Sequence, residues 1–218
     1  MEIHGIQKMT LLDYPEKVAC TIFTARCNFR CPFCHNASLV THVDAAAAIS
    51  EEEVFSFLAK RQGILDGVCI TGGEPLLQPD IEEFIRKVKE LGYQVKLDTN
   101  GSNVLRLRRL VEQGLVDYVA MDIKNAPDMS NIFQSVDFLM SGDVPYEFRT
   151  TVVRQFHKRE DFAAIGRWIK GAKQYYLQSF VDSGDLICPG MKGYTKEIME
   201  QALEIVKRNI PNAKLRGV

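Results

Sequence analysis

Apolar positions along this chain follow two alternating rhythms. Short runs rich in β-branched and aromatic residues read as strands: residues 18–24 (VACTIFT), 68–71 (VCIT), 94–99 (QVKLDT), 118–123 (YVAMDI), 147–153 (EFRTTVV) and 175–181 (YYLQSFV). Between them the apolar positions recur at helical spacing. Ser50 and Glu53 form a capping box that opens a helix carrying Val54, Phe55 and Leu58. Asp80 is placed to cap the next helix, residues 81–91, and Gly92 to stop it. A third helix spans 104–112 and ends at Gly114. A weaker pattern lies within 131–140, and two stronger ones cover 160–173 and 195–208.

Six strands alternating with six helices, at a repeat of roughly 25 residues, predict a parallel sheet with helices on its outside. The fold class is α/β. Eight such units close the usual barrel, so six predict a partial (β/α)6 barrel, and an open doubly wound sheet has the same periodicity. No linker or low-complexity stretch divides the chain. Residues 1–218 read as one domain: a lead-in over 1–17, the six-stranded partial barrel over 18–181, and a C-terminal helix region over 182–218. The polar oddities fall at the C-terminal ends of strands, the rim on which parallel α/β folds build their sites.

Composition narrows the function classes. The chain has 218 residues, 46% of them hydrophobic, enough for a sizeable core. The net charge is −1 and the charges are mixed, with no basic stripe, which argues against a nucleic-acid partner. The opening MEIHGIQKMT lacks the apolar region of a signal peptide, and no apolar run is long enough to span a membrane. A cytoplasmic location is the expectation. There thiols stay reduced, and clustered cysteines mean metal or catalysis more often than disulfides.

Three of the six cysteines stand together in CNFRCPFCHN, Cys27, Cys31 and Cys34, at spacing C-x₃-C-x₂-C. Four thiolates usually hold a closed site. Three leave a coordination position open, which suits a group that binds substrate. Structural zinc is the alternative, with His35 or Cys20 as fourth ligand. His35 is adjacent to Cys34, which makes joint chelation of one ion awkward. Cys20 and Cys69 sit within strands and read as core. Cys188, in ICPG after the last strand, falls on the active rim and reads as an isolated loop thiol.

The Cys27-x₃-Cys31-x-Phe33-Cys34 pattern resembles the signature of the radical S-adenosylmethionine (SAM) enzymes. That resemblance implies one 4Fe–4S cluster held by Cys27, Cys31 and Cys34, with SAM chelating the fourth iron, and Phe33 near the adenine. Gly72-Gly73-Glu74-Pro75 resembles the family element that contacts the SAM ammonium. An ordinary strand-to-helix turn with Glu74 solvated is its plainer reading. His35 and Asn36 in CHN, LDTNG on the third strand and MDIK on the fourth resemble the glycyl-radical-enzyme activases. Carried over residue by residue, Asp98, Thr99 and Asp122 ligate a monovalent cation beside the SAM carboxylate, and Lys124 contacts SAM or substrate. Without that resemblance, Asp98 and Asp122 are helix caps or surface charges.

The segment GIQKMTLLDYPEKVACTIFT is most similar to the anaerobic ribonucleotide reductase activating proteins. Through it Asp13 is implied to face the target glycine, an ordinary Asp-Tyr-Pro turn being the alternative. The apolar Met9, Leu11, Leu12 and Tyr14 are expected to line the entrance to the barrel, packing beneath it being the plainer reading. Two residues depart from the family pattern, Arg26 and Glu16, each standing where relatives carry glycine. The implied reaction passes one electron from the cluster to SAM, yielding methionine and a 5′-deoxyadenosyl radical. That radical takes a hydrogen from a glycine of the partner, an anaerobic ribonucleotide reductase, and a flavodoxin or ferredoxin donates the electron. By itself the protein is expected to be monomeric. The rivals are a small-molecule radical SAM enzyme like 7-carboxy-7-deazaguanine synthase, another activase such as that of pyruvate formate-lyase, and a zinc-binding interaction module.

Overall fold

The computed structural model describes residues 1–124 and 129–218. Eight strands form one sheet whose spatial order follows the chain. They are β1 (Ile3–Thr10), β2 (Ala19–Thr24), β3 (Gly67–Gly72), β4 (Gln94–Thr99), β5 (Tyr118–Asp122), β6 (Tyr146–Val152), β7 (Tyr175–Ser179) and β8 (Lys214–Arg216). The helices are α1 (Ala37–Thr41), α2 (Glu51–Ala59), α3 (Ile81–Glu90), α4 (Val104–Glu112), α5 (Ser130–Ser141), α6 (Arg159–Trp168) and α7 (Lys196–Lys207). β1 runs antiparallel to β2, and β2 through β8 are all parallel.

This order decides between the two architectures that periodicity leaves open. A doubly wound sheet reverses its strand order at a switch point. Here the order never reverses, so every crossover winds the same way and the helices stay on one face. The sheet curls around its other face as a partial barrel. The flanks join it: β1 lies within the stretch read as a lead-in, and β8 within the C-terminal helix region.

Strand alternation assigns the two faces. Ile22, Val68, Ile70, Val95, Leu97, Val119, Met121, Phe148 and Leu177 point outward into one core shared with the helices. Truncating one of them, Ile70 or Leu97, would cost about 2–5 kcal/mol. The intervening residues point inward and are largely polar: Thr21, Cys69, Lys96, Asp98, Asp122, Glu147 and Arg149. In register, Thr21 pairs with Cys69, Cys69 with Lys96, and Asp122 with Arg149, so these side chains form rows across the interior.

Local signals mostly hold. The Ser50 hydroxyl accepts from the Glu53 amide at 3.2 Å, one of the two bonds of a capping box. Asp80 is different. Its side chain makes no capping bond to α3. Instead the chain's amino terminus draws it away, bracketed by Asp80 and Glu51. α6 stops at Trp168, short of the expected 173. Gly92 and Gly114 take left-handed φ values of 88° and 67° after α3 and α4.

Among the described residues, Glu16 and Arg26 are the two non-glycine residues with positive φ, 61° and 67°. A Cβ in that region crowds the following carbonyl, which accounts for glycine in relatives. Glu16 is exposed in the β1–β2 hairpin. Glu16→Gly should therefore stabilise the fold by about 1 kcal/mol, or ~2–4 °C in Tm. Thermal unfolding of the two apoproteins checks this, and an unchanged or lowered Tm would contradict it.

Candidate active site

The loop that carries the three cysteines begins where β2 ends, and the end of β3 holds it there. The Gly73 amide donates to Thr24 O at 2.7 Å and the Glu74 amide to Arg26 O at 2.8 Å. A Cβ on Gly72 would lie 2.4 Å from the Thr24 oxygen, and one on Gly73 only 2.0 Å from the Arg26 oxygen. The Gly-Gly pair is thus required by backbone contact with the cysteine loop. Arg26 takes its strained conformation at this seam, and its guanidinium pairs with Glu2. From the other side, the Cys188 amide donates to Pro32 O at 2.9 Å. The Asp185 carboxylate accepts from the Ser38 amide at 3.1 Å and from its hydroxyl at 2.7 Å. The stretch after β7 therefore clamps the loop, and this is where Cys188 belongs.

A cavity of about 220 Å³ opens between these loops. Cys27, Cys31, Phe33, Cys34, His35 and Asn36 line it from the cysteine loop. Gly72, Gly73 and Glu74 come from the end of β3 and just beyond it, Asp98, Thr99 and Asn100 from the end of β4 and just beyond it, and Asp122 and Lys124 from the end of β5 and just beyond it. The structure thus brings together every site residue picked from the sequence except Asp13. It adds some that sequence reasoning missed, chiefly Arg149 on β6 and Gln178 on β7. The available signal was a basic residue inside a strand that should be buried on both faces, Arg149 in EFRTT and Lys96 in QVKLD.

The three thiols are partly buried. Burial pushes the Cys27 and Cys31 thiols up, and in Cys31 the nearby Lys124 opposes that rise. A bound metal reverses this logic by deprotonating the thiol outright. Donors already face Cys27: the Phe29 amide at 3.3 Å and the Asn100 side-chain amide at 3.8 Å from its Sγ. Such N–H···S contacts tune iron–sulfur centres. Among the described residues, no three His, Cys, Asp or Glu side chains are gathered closely enough to ligate a single ion. A cluster asks for something different. Each thiolate takes its own iron, so the three need only line one wall. The donor set fits a cluster on that ground.

Glu74 is 1% exposed, which rules out the solvated turn. Its Oε1 accepts from the Thr99 hydroxyl at 2.7 Å and the Leu76 amide at 3.1 Å, and its Oε2 from the Asn100 amide at 2.7 Å. The carboxylate ties the β3 and β4 loops together. Burial raises it to about 7 against these hydrogen bonds. Thr99 is consequently turned toward Glu74.

Asp98 and Asp122 are neither caps nor surface charges. Arg149 bridges them, its Nη1 3.0 Å from Asp98 Oδ2 and its Nε 2.9 Å from Asp122 Oδ1. Lys96 pairs with Asp98 Oδ1, and Lys124 lies 3.0 Å from Asp122 Oδ2. Burial alone would raise both carboxyls. Arg149 outweighs it together with Lys96 at Asp98 and with Lys124 at Asp122, holding both below the usual range.

His35 stacks on Phe180 at 5.2 Å and donates from Nε2 to Val181 O at 2.8 Å. The Asn36 side-chain amide donates to Gly72 O at 3.1 Å, and the Phe33 ring lies 5.7 Å from Phe156. Asp13 is elsewhere. It belongs to the β1–β2 hairpin, at the N-terminal end of β2, and its Oδ2 accepts from the Thr21 hydroxyl at 2.6 Å. Met9, Leu11 and Leu12 are exposed on that hairpin, and Tyr14 is buried beneath the barrel against Gly67 and Tyr118. They do not line the rim entrance. The hairpin connection puts them at the opposite end.

A family profile described as the Radical SAM superfamily matches residues 21–206. The chain is 32% identical to a provisionally named glycyl-radical enzyme activating enzyme of Methanocaldococcus jannaschii, over 99% of this chain and 96% of that protein. It is 30% identical to the pyruvate formate-lyase-activating enzyme of Clostridium pasteurianum, over 58% of this chain and 53% of the other. Among solved structures, Streptococcus suis SuiB bound to precursor peptide SuiA superposes with a TM-score of 0.72 at 14% identity, covering 90% of this chain and 48% of SuiB. That likeness is one of fold.

The raised Glu74 carboxyl predicts a pH effect. Its folded value of about 7 stands above its ordinary 4.5, so folding takes up a proton between the two. The associated stability is fully present below the unfolded value and is lost as pH rises through about 7. Glu74→Gln removes this proton uptake. Between pH 5 and 8 the wild-type apoprotein should lose up to about 3 kcal/mol more than the variant in urea unfolding. Parallel losses in the two proteins would refute it.

Proposed function

The chain belongs to the radical SAM superfamily, and on that premise we propose that it activates a glycyl radical enzyme, the partner being an anaerobic ribonucleotide reductase. The observation that carries the activase reading is the 32% identity, over nearly the whole length of both chains, to the Methanocaldococcus protein named for that activity. The resemblance of the segment GIQKMTLLDYPEKVACTIFT to the reductase activating proteins supports the reductase as partner.

Cys27, Cys31 and Cys34 would hold the cluster. Glu74, Asp98, Asp122, Lys124 and Arg149 present mixed charge to the amino-acid end of SAM, while Phe33 offers a ring to its adenine. When bound, the cluster supplies one electron, drawn from a flavodoxin or ferredoxin, and SAM supplies the adenosyl group that takes hydrogen from the target glycine. The protein's own part is placement. Glu74 fixes the β3 and β4 loops, and the Gly72–Gly73 seam fixes the cysteine loop against them. The partner's glycine loop would complete the wall of the cavity and exclude water.

Two expectations follow. Alanine in place of Cys27, Cys31 or Cys34 should abolish the visible iron–sulfur absorption, while Cys20→Ala, Cys69→Ala and Cys188→Ala keep it. A folded variant of the second group that lost its colour would break the ligand assignment. Mixing the reconstituted protein with reductase, SAM and reductant without oxygen should give an electron paramagnetic resonance doublet that requires the reductase glycine. The match to the Clostridium enzyme favours pyruvate formate-lyase as a second partner reading, so the same experiment includes it. A radical on the lyase alone would reassign the partner, and SAM cleavage driven by a small metabolite would overturn the activase reading.

A further inference from the structure

The residues expected to ligate a monovalent cation do not fit one. A cation between Asp98 and Asp122 would have to share their oxygens with the positive charges already there. Each of the four oxygens already faces a nitrogen: Lys96 on Asp98 Oδ1, Arg149 on Asp98 Oδ2 and Asp122 Oδ1, Lys124 on Asp122 Oδ2. The Thr99 hydroxyl donates to Glu74 at 2.7 Å, and its oxygen already accepts from the Gly101 amide at 3.1 Å. Three cationic side chains therefore serve two carboxylates. Among these five groups one positive charge is left over for an incoming carboxylate, and a metal ion would leave two.

Lys96 is the unusual member. It is 2% exposed, among the largest fully buried side chains of the protein. It sits two residues before Asp98 on β4, one inward-facing layer below the cavity. Among the described residues its ammonium bonds to groups able to accept, Asp98 Oδ1 and Cys69 Sγ at 3.8 Å. Burial alone would favour loss of its proton, but Asp98 more than reverses this and keeps it charged. A buried ammonium is costly unless something requires it. Arg149 and Lys124 line the cavity, whereas Lys96 lies beneath it against Asp98.

We infer that the Lys96 ammonium, fixed on Asp98 inside the barrel, takes the place of the monovalent cation, so that SAM binding by this protein needs no alkali metal ion. Lys96 acts here as a positioning residue. It holds Asp98 neutralised and oriented without touching SAM.

The inference rests on SAM binding as proposed above, and the test separates the two. SAM affinity of the cluster-loaded protein is measured by calorimetry in potassium chloride and in choline chloride at equal ionic strength. The wild type should differ by less than about twofold. Lys96→Met should bind at least about tenfold more weakly in choline, the effect of leaving Asp98 Oδ1 without its cation, and potassium should restore most of that loss by entering the vacated place. Rescue by potassium is a response that a merely structural role would not give. Lys96→Gln serves if the methionine variant loses its cluster. A wild type that loses tenfold or more in choline overturns the inference while leaving SAM binding intact, and so does a folded Lys96 variant that potassium does not rescue. No SAM binding in either salt overturns both readings.

Discussion

Two carboxylates inside a barrel set the terms for the rest of this structure. An unpaired buried carboxylate costs several kcal/mol, more than any one outward-facing core residue contributes by its burial. Asp98 and Asp122 can stay ionised only because Lys96, Arg149 and Lys124 surround them. That requirement reaches into the strands. β4 must present Lys96 and Asp98 on the same face, two residues apart, and β6 must bring Arg149 into register with Asp122. A slip of one residue in either strand would turn these charges into the helix-facing core. The apolar outward face and the charged inward face therefore enforce the same register.

The rim is assembled on this base by hydrogen bonds that leave little slack. Glu74 takes three donors, two of them from the β4 loop. The glycines before it let the β3 backbone close on the start of the cysteine loop, and the 182–188 stretch grips that loop from outside. What looks like a collection of ligand-binding motifs is also the set of contacts that fixes three thiols along one wall. The two roles are compatible, because a carboxylate that accepts two or three internal donors still has a lone pair to offer a ligand.

Much of this was legible in the sequence. Strand and helix positions follow from periodicity, and the rim residues from their place at strand ends. The three thiols were marked by their spacing. What escaped was what depends on pairing across strands. QVKLDT and EFRTTVV read as strands, but which neighbour Lys96 or Arg149 meets is fixed by register, which no local pattern states. Asp80 had the right spacing for a cap and lost to a partner some eighty residues away, the amino terminus. The first and last strands were missed for a related reason. β1 carries exposed and half-buried residues over most of its length, and β8 is three residues long, so neither has the apolar signal of an interior strand.

The two ends of the barrel explain why the hairpin does not belong to the site. At the N-terminal end Tyr14 fills the space over Gly67 and meets the Tyr118 ring at 6.0 Å. The Tyr118 hydroxyl donates to Glu147 at 3.2 Å, and Arg216 of β8 clasps the same carboxylate at 2.9 and 3.1 Å. These contacts join β1–β2, β5, β6 and β8, so they close the base while tying the short last strand to the sheet. Among the described residues the C-terminal end has no such plug. It carries the half-buried thiols, polar loops and an aromatic pair, Phe33 and Phe156, whose outer ring is 47% exposed. Access to the cavity is therefore from the rim. Asp13, held on Thr21 below, belongs to the inner polar rows beneath the cavity floor. Any influence it has on a bound substrate has to pass through Cys69, Lys96 and Asp98, which lie between.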